Sequence, residues 1–218
     1  MSGRALGSGR AACCALLLIS LGGWASSALA GTCLQRYSVA VDPSKADTLA
    51  VTFRCRGTGQ TFVAADTLIR SISVWVPPLG PKQYNVSNLF ITEAVGDTPD
   101  VDHLIYAGPP VSRPVTDPVL PTEFRFDLDP PVALPHTGAF FFDVQADYYS
   151  AFPMLASNAN PYPQGEAWET GPFIDCSLPG APRIFVPHPD LVFKIVFCTT
   201  GATGTRRSSW GELKVLYR

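Results

Sequence analysis

The chain has 218 residues with 16 basic and 18 acidic side chains, a formal net charge of −2 and no block of like charge. That balance argues against a nucleic-acid binder and against a protein held on an anionic membrane surface. Its 21 prolines are spread so evenly that long helices have almost nowhere to form.

Arg4 and Arg10 open the chain with positive charge, and residues 11–21 form an apolar run broken only by Ser20. Ala28-Leu29-Ala30 then fits the pattern that signal peptidase reads, which predicts a cleaved signal peptide over residues 1–30. The apolar run is too short for a stable span, which needs about 20 residues. A lipid anchor on Cys33 is not expected, because Thr32 rather than a small residue precedes it. Residues 31–218 remain as one domain with 14 basic and 18 acidic side chains. The expected location is the periplasm or the cell exterior. Cys13 and Cys14 leave with the signal.

The four remaining cysteines, Cys33, Cys55, Cys176 and Cys198, read as disulfides because an exported chain meets an oxidising compartment. Three pairings are open. Closeness in sequence favours Cys33–Cys55 and Cys176–Cys198. A zinc site has no C-x-x-C or nearby histidine to support it.

Short period-two runs between the prolines predict strands. Residues 49–55 set Leu49, Val51, Phe53 and Cys55 on one face, with Thr52 and Arg54 on the other. Residues 68–76 set Leu68, Arg70, Ile72, Val74 and Val76 together, so Arg70 is one charge among apolar positions. Residues 89–94 alternate weakly. Residues 95–121, rich in proline, read as a long irregular connection. Residues 122–128 oppose Phe124, Phe126 and Leu128 to Glu123, Arg125 and Asp127. Residues 139–146 place Phe140, Phe142 and Val144 on one side, and residues 191–197 align Leu191, Phe193, Ile195 and Phe197. Residues 210–217 read as a closing strand. The expected fold is all-β: a single-domain, jelly-roll-like β-sandwich after a cleaved signal peptide.

Three segments carry a resemblance: Gly59-Gln60-Thr61-Phe62, Asn160-Pro161-Tyr162-Pro163-Gln164-Gly165-Glu166-Ala167-Trp168, and Asp190-Leu191-Val192-Phe193-Lys194. With Asp129-Pro130-Pro131-Val132 and Gly138-Ala139-Phe140-Phe141-Phe142 between them, they resemble bacterial exported jelly-roll modules. These are the carbohydrate-binding-like β-sandwich modules associated with surface-anchored proteins. Their motifs run Q-S-F, Y-P-G-G-x-A and D-L-x-F-[KR]. The first glycine of the second motif is Gln164 here. The resemblance implies a sandwich that binds a glycan or surface polymer.

No catalytic residues are predicted. The chain lacks a G-x-S-x-G elbow, an H-E-x-x-H helix and a phosphate-cradling glycine loop. His103, His136 and His188 show no ligand spacing and read as surface residues. The candidate ligand site is Tyr148, Tyr149, Tyr162, Gln164, Glu166 and Trp168, joined by Phe152, Asn158 and Asn160. Aromatic faces stack on sugar rings, and the amides and carboxylates hydrogen-bond hydroxyls. The structural alternative has Tyr162 and Trp168 pinning a proline-rich loop. Calcium is the one cofactor suggested, through Asp97, Asp100 and Asp102. The leading expectation is a non-catalytic glycan or polymer binder. The second is a structural or protein-interaction module of the cell envelope without a small ligand. A glycoside hydrolase using Glu166 and Glu169 ranks third.

Overall fold

The computed structural model describes residues 33–78, 84–114, 117–171, 176–184 and 190–200. The expected signal peptide, His188 and the closing strand at 210–217 lie outside them. Fourteen strands follow one another among the described residues. They are β1 (Cys33–Ala40), β2 (Thr48–Phe53), β3 (Gly57–Ala64), β4 (Leu68–Val76), β5 (Tyr84–Val95), β6 (Thr98–Ala107) and β7 (Val111–Pro114). Then come β8 (Thr122–Ala133), β9 (Gly138–Ala146), β10 (Ala151–Ser157), β11 (Ala167–Thr170), β12 (Pro182–Ile184), β13 (Asp190–Leu191) and β14 (Phe193–Thr200). One short 3₁₀ turn at Pro43–Lys45 is capped by Asp42, whose carboxylate accepts from the Ser44 N–H.

All pairings are antiparallel and form three sheets: β1-β14-β4-β8, β13-β10-β2, and β12-β11-β3-β9-β5-β6 with β7 also on β5. The last sheet curls until β12 approaches β6. The main core lies where its inner face meets the other two sheets. Phe62 and Phe142 of the curled sheet pack on Phe197 and Phe193 of β14, with ring centroids 6.4 and 5.5 Å apart. Phe124 of β8 meets Phe152 of β10 edge-on at 4.9 Å. Each such ring, fully buried, contributes roughly 2–3 kcal/mol by leaving water. The fold is all-β and sandwich-like, as expected.

The alternation in β8 and β14 places Phe124, Phe126, Leu128, Phe193, Ile195 and Phe197 in the core as expected. Two strands differ. In β4 the register shifts between Ile69 and Ser71, so the phase changes at Arg70. Ile69 therefore joins the core and Arg70 turns to solvent. In β2 the small residues Ala50 and Thr52 point inward, while Leu49, Val51 and Phe53 face out. The stretch expected as an irregular connection is a hairpin, with β6 returning on β5 and β7 following it. Pro99 sits near the start of β6 and Pro114 at the end of β7, and the other prolines lie between strands, where no ladder N–H is required.

The disulfides also differ from the pairing that sequence proximity favoured. The bridges are Cys33–Cys198, with Cα atoms 5.4 Å apart, and Cys55–Cys176, at 4.6 Å. The cause is topological. β1 pairs with β14, so Cys33 and Cys198 are brought together from opposite ends of the domain. Two bridges place the chain in an oxidising environment.

Candidate functional site

The three segments that carry the resemblance meet at one buried junction. Gln60 on β3 donates from Nε2 to Asp190 Oδ1 at 2.8 Å and accepts the Leu191 N–H at 2.9 Å. Asp190 Oδ2 accepts the Tyr162 N–H at 2.7 Å, and the Tyr162 hydroxyl accepts the Val63 N–H at 3.0 Å. The Thr61 N–H donates to Glu166 O at 3.0 Å, and Thr61 Oγ1 accepts the Glu166 N–H at 2.7 Å. Gly165 is required, because a Cβ there would collide with the Thr61 carbonyl. Gln164 is exposed, so the position just before Gly165 meets no such limit. Burial pushes the Asp190 carboxyl above its ordinary range, against the two hydrogen bonds that pull it down. This network joins β3, the 158–166 loop and β13.

The predicted aromatic site is divided by this arrangement. Tyr162 and Trp168 are packed away at 8% and 7% exposure, whereas Tyr148 and Tyr149 stand out at 54% and 90%. Phe152 is fully buried, and Asn158, Asn160, Gln164 and Glu166 lie on the surface. The four aromatic residues Tyr148, Tyr149, Tyr162 and Trp168 do not share an open face. Glu169 is half-buried on β11, beside Trp168. The acidic series is spread along a hairpin: Asp97 in the β5–β6 turn, Asp100 and Asp102 on β6. Asp100 instead meets His103 at 2.7 Å, and this contact raises the His103 pKa. Among the described residues, no three His, Cys, Asp or Glu side chains are grouped to hold an ion.

The second face of the curled sheet holds residues that the sequence reading passed over. Cross-strand registers align Trp168, Gly59, Asp143 and Phe90 in one row and Thr170, Gly57, Gln145 and Asn88 in the next. A Cβ on Gly57 would land on the Asp143 carboxyl, and one on Gly59 would press into the Phe141 ring. Asp143 Oδ2 accepts from Thr170 Oγ1 at 2.8 Å, while Asp143 Oδ1, Gln145 Oε1 and the Trp168 indole N–H are buried without partners. Burial pushes the Asp143 pKa up to about 7, against a smaller opposing effect of the Thr170 hydrogen bond. The signal for this seat was an Asp and a Gln inside the apolar run Phe140-Phe141-Phe142-Asp143-Val144-Gln145. Residues 176–181 cover it, held by the Cys55–Cys176 bridge and by side-chain bonds from Asn88 to Cys176 O and Gln145 to Leu178 O. Beside that cover, an open depression of about 420 Å³ lies between Leu178–Ala181 and β6, with Asp102 on its wall.

A third feature is the outward side of β2 and β10. Leu49, Val51 and Phe53 are 48%, 43% and 41% exposed, and the register sets Pro153 beside Val51 and Ala151 beside Phe53. Arg56 lies over the Phe53 ring, 5.1 Å from its centroid. Tyr148 and Tyr149 lie in the turn leading into β10, with ring centroids 5.1 Å apart. Compared with known protein families the chain finds no match, and a comparison with curated proteins finds none either.

Proposed function

We propose that this chain is an exported, non-catalytic interaction module that contacts another protein through the outward face of β2 and β10. The observation that carries the reading is the row Leu49, Val51 and Phe53, three large apolar side chains left open on one short strand. Scattered apolar residues on a surface need no explanation, but a contiguous patch rimmed by polar groups marks a contact site. The composition fits as well. Phe53, Tyr148 and Tyr149 with Arg54 and Arg56 are the aromatic and arginine types enriched at protein interfaces. The partner is a protein of the same compartment with an apolar surface and a carboxylate placed to meet Arg54 or Arg56.

Binding of a glycan or surface polymer is the second reading, favoured by the Tyr148–Tyr149 pair, whose rings stand 5.1 Å apart and nearly perpendicular at an open tip. A photo-reactive residue in place of Pro153 separates the two. The expected result is a cross-link to one distinct exported protein, lost in Val51→Asp. Binding to a glycan array that disappears in Tyr149→Ala, with no protein cross-link, overturns the interaction reading in favour of the second.

A further inference from the structure

The two disulfides are set in different kinds of backbone. Cys33 and Cys198 are both paired within the β1–β14 ladder, which holds them side by side whether or not their sulfurs are joined. Cys55 and Cys176 lie outside the strands, and both have positive φ, 58° and 55°. That left-handed region suits glycine and is unfavourable for a residue with a Cβ. The Cys55 end is fixed by its own backbone. Its N–H donates to Ala146 O at 3.2 Å, and the next N–H, of Arg56, donates to Phe53 O at 3.1 Å. The Cys176 end belongs to the cover. Residues 176–181 rejoin the framework at Ala181, whose carbonyl accepts the Gly171 N–H at 2.8 Å beside the β11–β12 pairing. Under them, Asp143 Oδ1, Gln145 Oε1 and the Trp168 indole N–H make no hydrogen bonds, so water reaching this face would supply bonds that the closed state lacks.

We propose that Cys55–Cys176 is a redox latch: its reduction by a dithiol lets residues 176–181 swing away on Ala181 and opens the Asp143 face to water, with the rest of the fold kept. Cys176 is the sulfur attacked, being 8% exposed against 1% for Cys55. A thiolate of the reductant bonds to Cys176 Sγ and displaces the Cys55 thiolate, leaving a mixed disulfide. The second thiol of the reductant, once deprotonated, displaces the Cys176 thiolate and closes the reductant's own disulfide. The two protons lost by the dithiol end on Cys55 and Cys176, so the dithiol is oxidised by two electrons and the bridge reduced by two. After reduction Cys176 can leave the left-handed region and the latch thiols part. Cys33 and Cys198 stay adjacent in their ladder, and their bond re-forms. The latch therefore opens at a dithiol-to-disulfide ratio roughly tenfold below that needed for Cys33–Cys198, the worth of one such residue relaxed. This device is separate from the β2–β10 contact face and does not rest on it.

Equilibrating the oxidised chain in graded mixtures of reduced and oxidised dithiothreitol, then alkylating free thiols and mapping them by peptide mass, reads each bridge separately. The expected result is two midpoints, with Cys55 and Cys176 alkylated first. Between the midpoints, amide exchange of residues 176–181 should rise while the 158–166 loop keeps its protection and the far-ultraviolet circular dichroism of the sheets is unchanged. Reoxidation should restore the protection of 176–181. Three outcomes overturn the inference. Cys33–Cys198 is reduced first or at the same ratio; the circular dichroism collapses as Cys55–Cys176 opens; or residues 176–181 stay as protected in the reduced chain as in the oxidised one. The last of these would make the bridge a fixed brace over a face that stays shut without it.

Discussion

Asp190 and Asp143 are two buried carboxyls on the same framework, and they are supported very differently. At Asp190 both oxygens accept hydrogen bonds, from Gln60 and from the Tyr162 N–H, and the residues supplying them come from two separate segments. At Asp143 only one oxygen has a partner, and neighbouring Gln145 and Trp168 each keep a polar atom without one. A fully connected buried network fixes the elements it joins, while a half-connected one leaves a cost in the folded state. The 158–166 loop is accordingly held by polar bonds and the Tyr162 side chain, whereas segment 176–181 over Asp143 is fastened by a covalent bridge.

The comparison breaks most severely at that bridge. Replacing Cys55 and Cys176 by alanine removes a cross-link spanning 121 residues. The expected loss is about 5 kcal/mol in the chain-entropy picture, read as a shift of the denaturant midpoint. Hydrogen exchange should then open residues 176–181 while the 158–166 loop keeps its protection. Equal opening of both would show that the polar junction needs the bridge too.

Next in size is pH. The folded-state pKa of Asp143 is raised from 3.8 to about 7. Below pH 4 the carboxyl is neutral in both states and contributes nothing. As pH rises toward 7 the unfolded chain ionises first, so stability falls, and above 7 the penalty is constant. The expected total is about 4 kcal/mol at most. Asp143→Asn should flatten unfolding curves between pH 4 and 8, and an unchanged slope would refute the assignment.

The smallest expected effect sharpens the other side. Asp190→Ala leaves Gln60 Nε2 and the Tyr162 N–H unpaired and should cost about 3 kcal/mol, without steepening the pH dependence. A cost as small as that of a surface substitution would show that the junction is not what holds the loop.

How much of this was legible follows from what each residue does. β8 was readable because Phe124, Phe126 and Leu128 alternate with Glu123, Arg125 and Asp127, and β14 because Phe193, Ile195 and Phe197 fall on one face. β2 has an equally clear alternation, but the size rule inverts there: close approach to β3 and β9 admits Ala50 and Thr52, and the larger side chains are turned out. Arg70 was misplaced because a one-residue register shift changes every face beyond it. The hairpin in residues 95–121 was hidden by proline density. Tyr162 and Trp168 were read either as ligand-stacking rings or as pins for a proline-rich loop, because composition does not say whether an aromatic ring faces a ligand or the neighbouring strand. Asp143 and Gln145 escaped notice because the apolar run around them reads as core on one side, and in a curled sheet both sides are enclosed.

The nesting of the two sulfur bridges has a consequence for how the protein is made. Chains grow from the amino terminus, so Cys33 and Cys55 arrive together, long before Cys198, the partner that Cys33 finally takes at a separation of 165 residues. Oxidation in order of arrival therefore joins the wrong thiols. Maturation of this domain must wait for its last strand or undo early bonds by thiol–disulfide exchange.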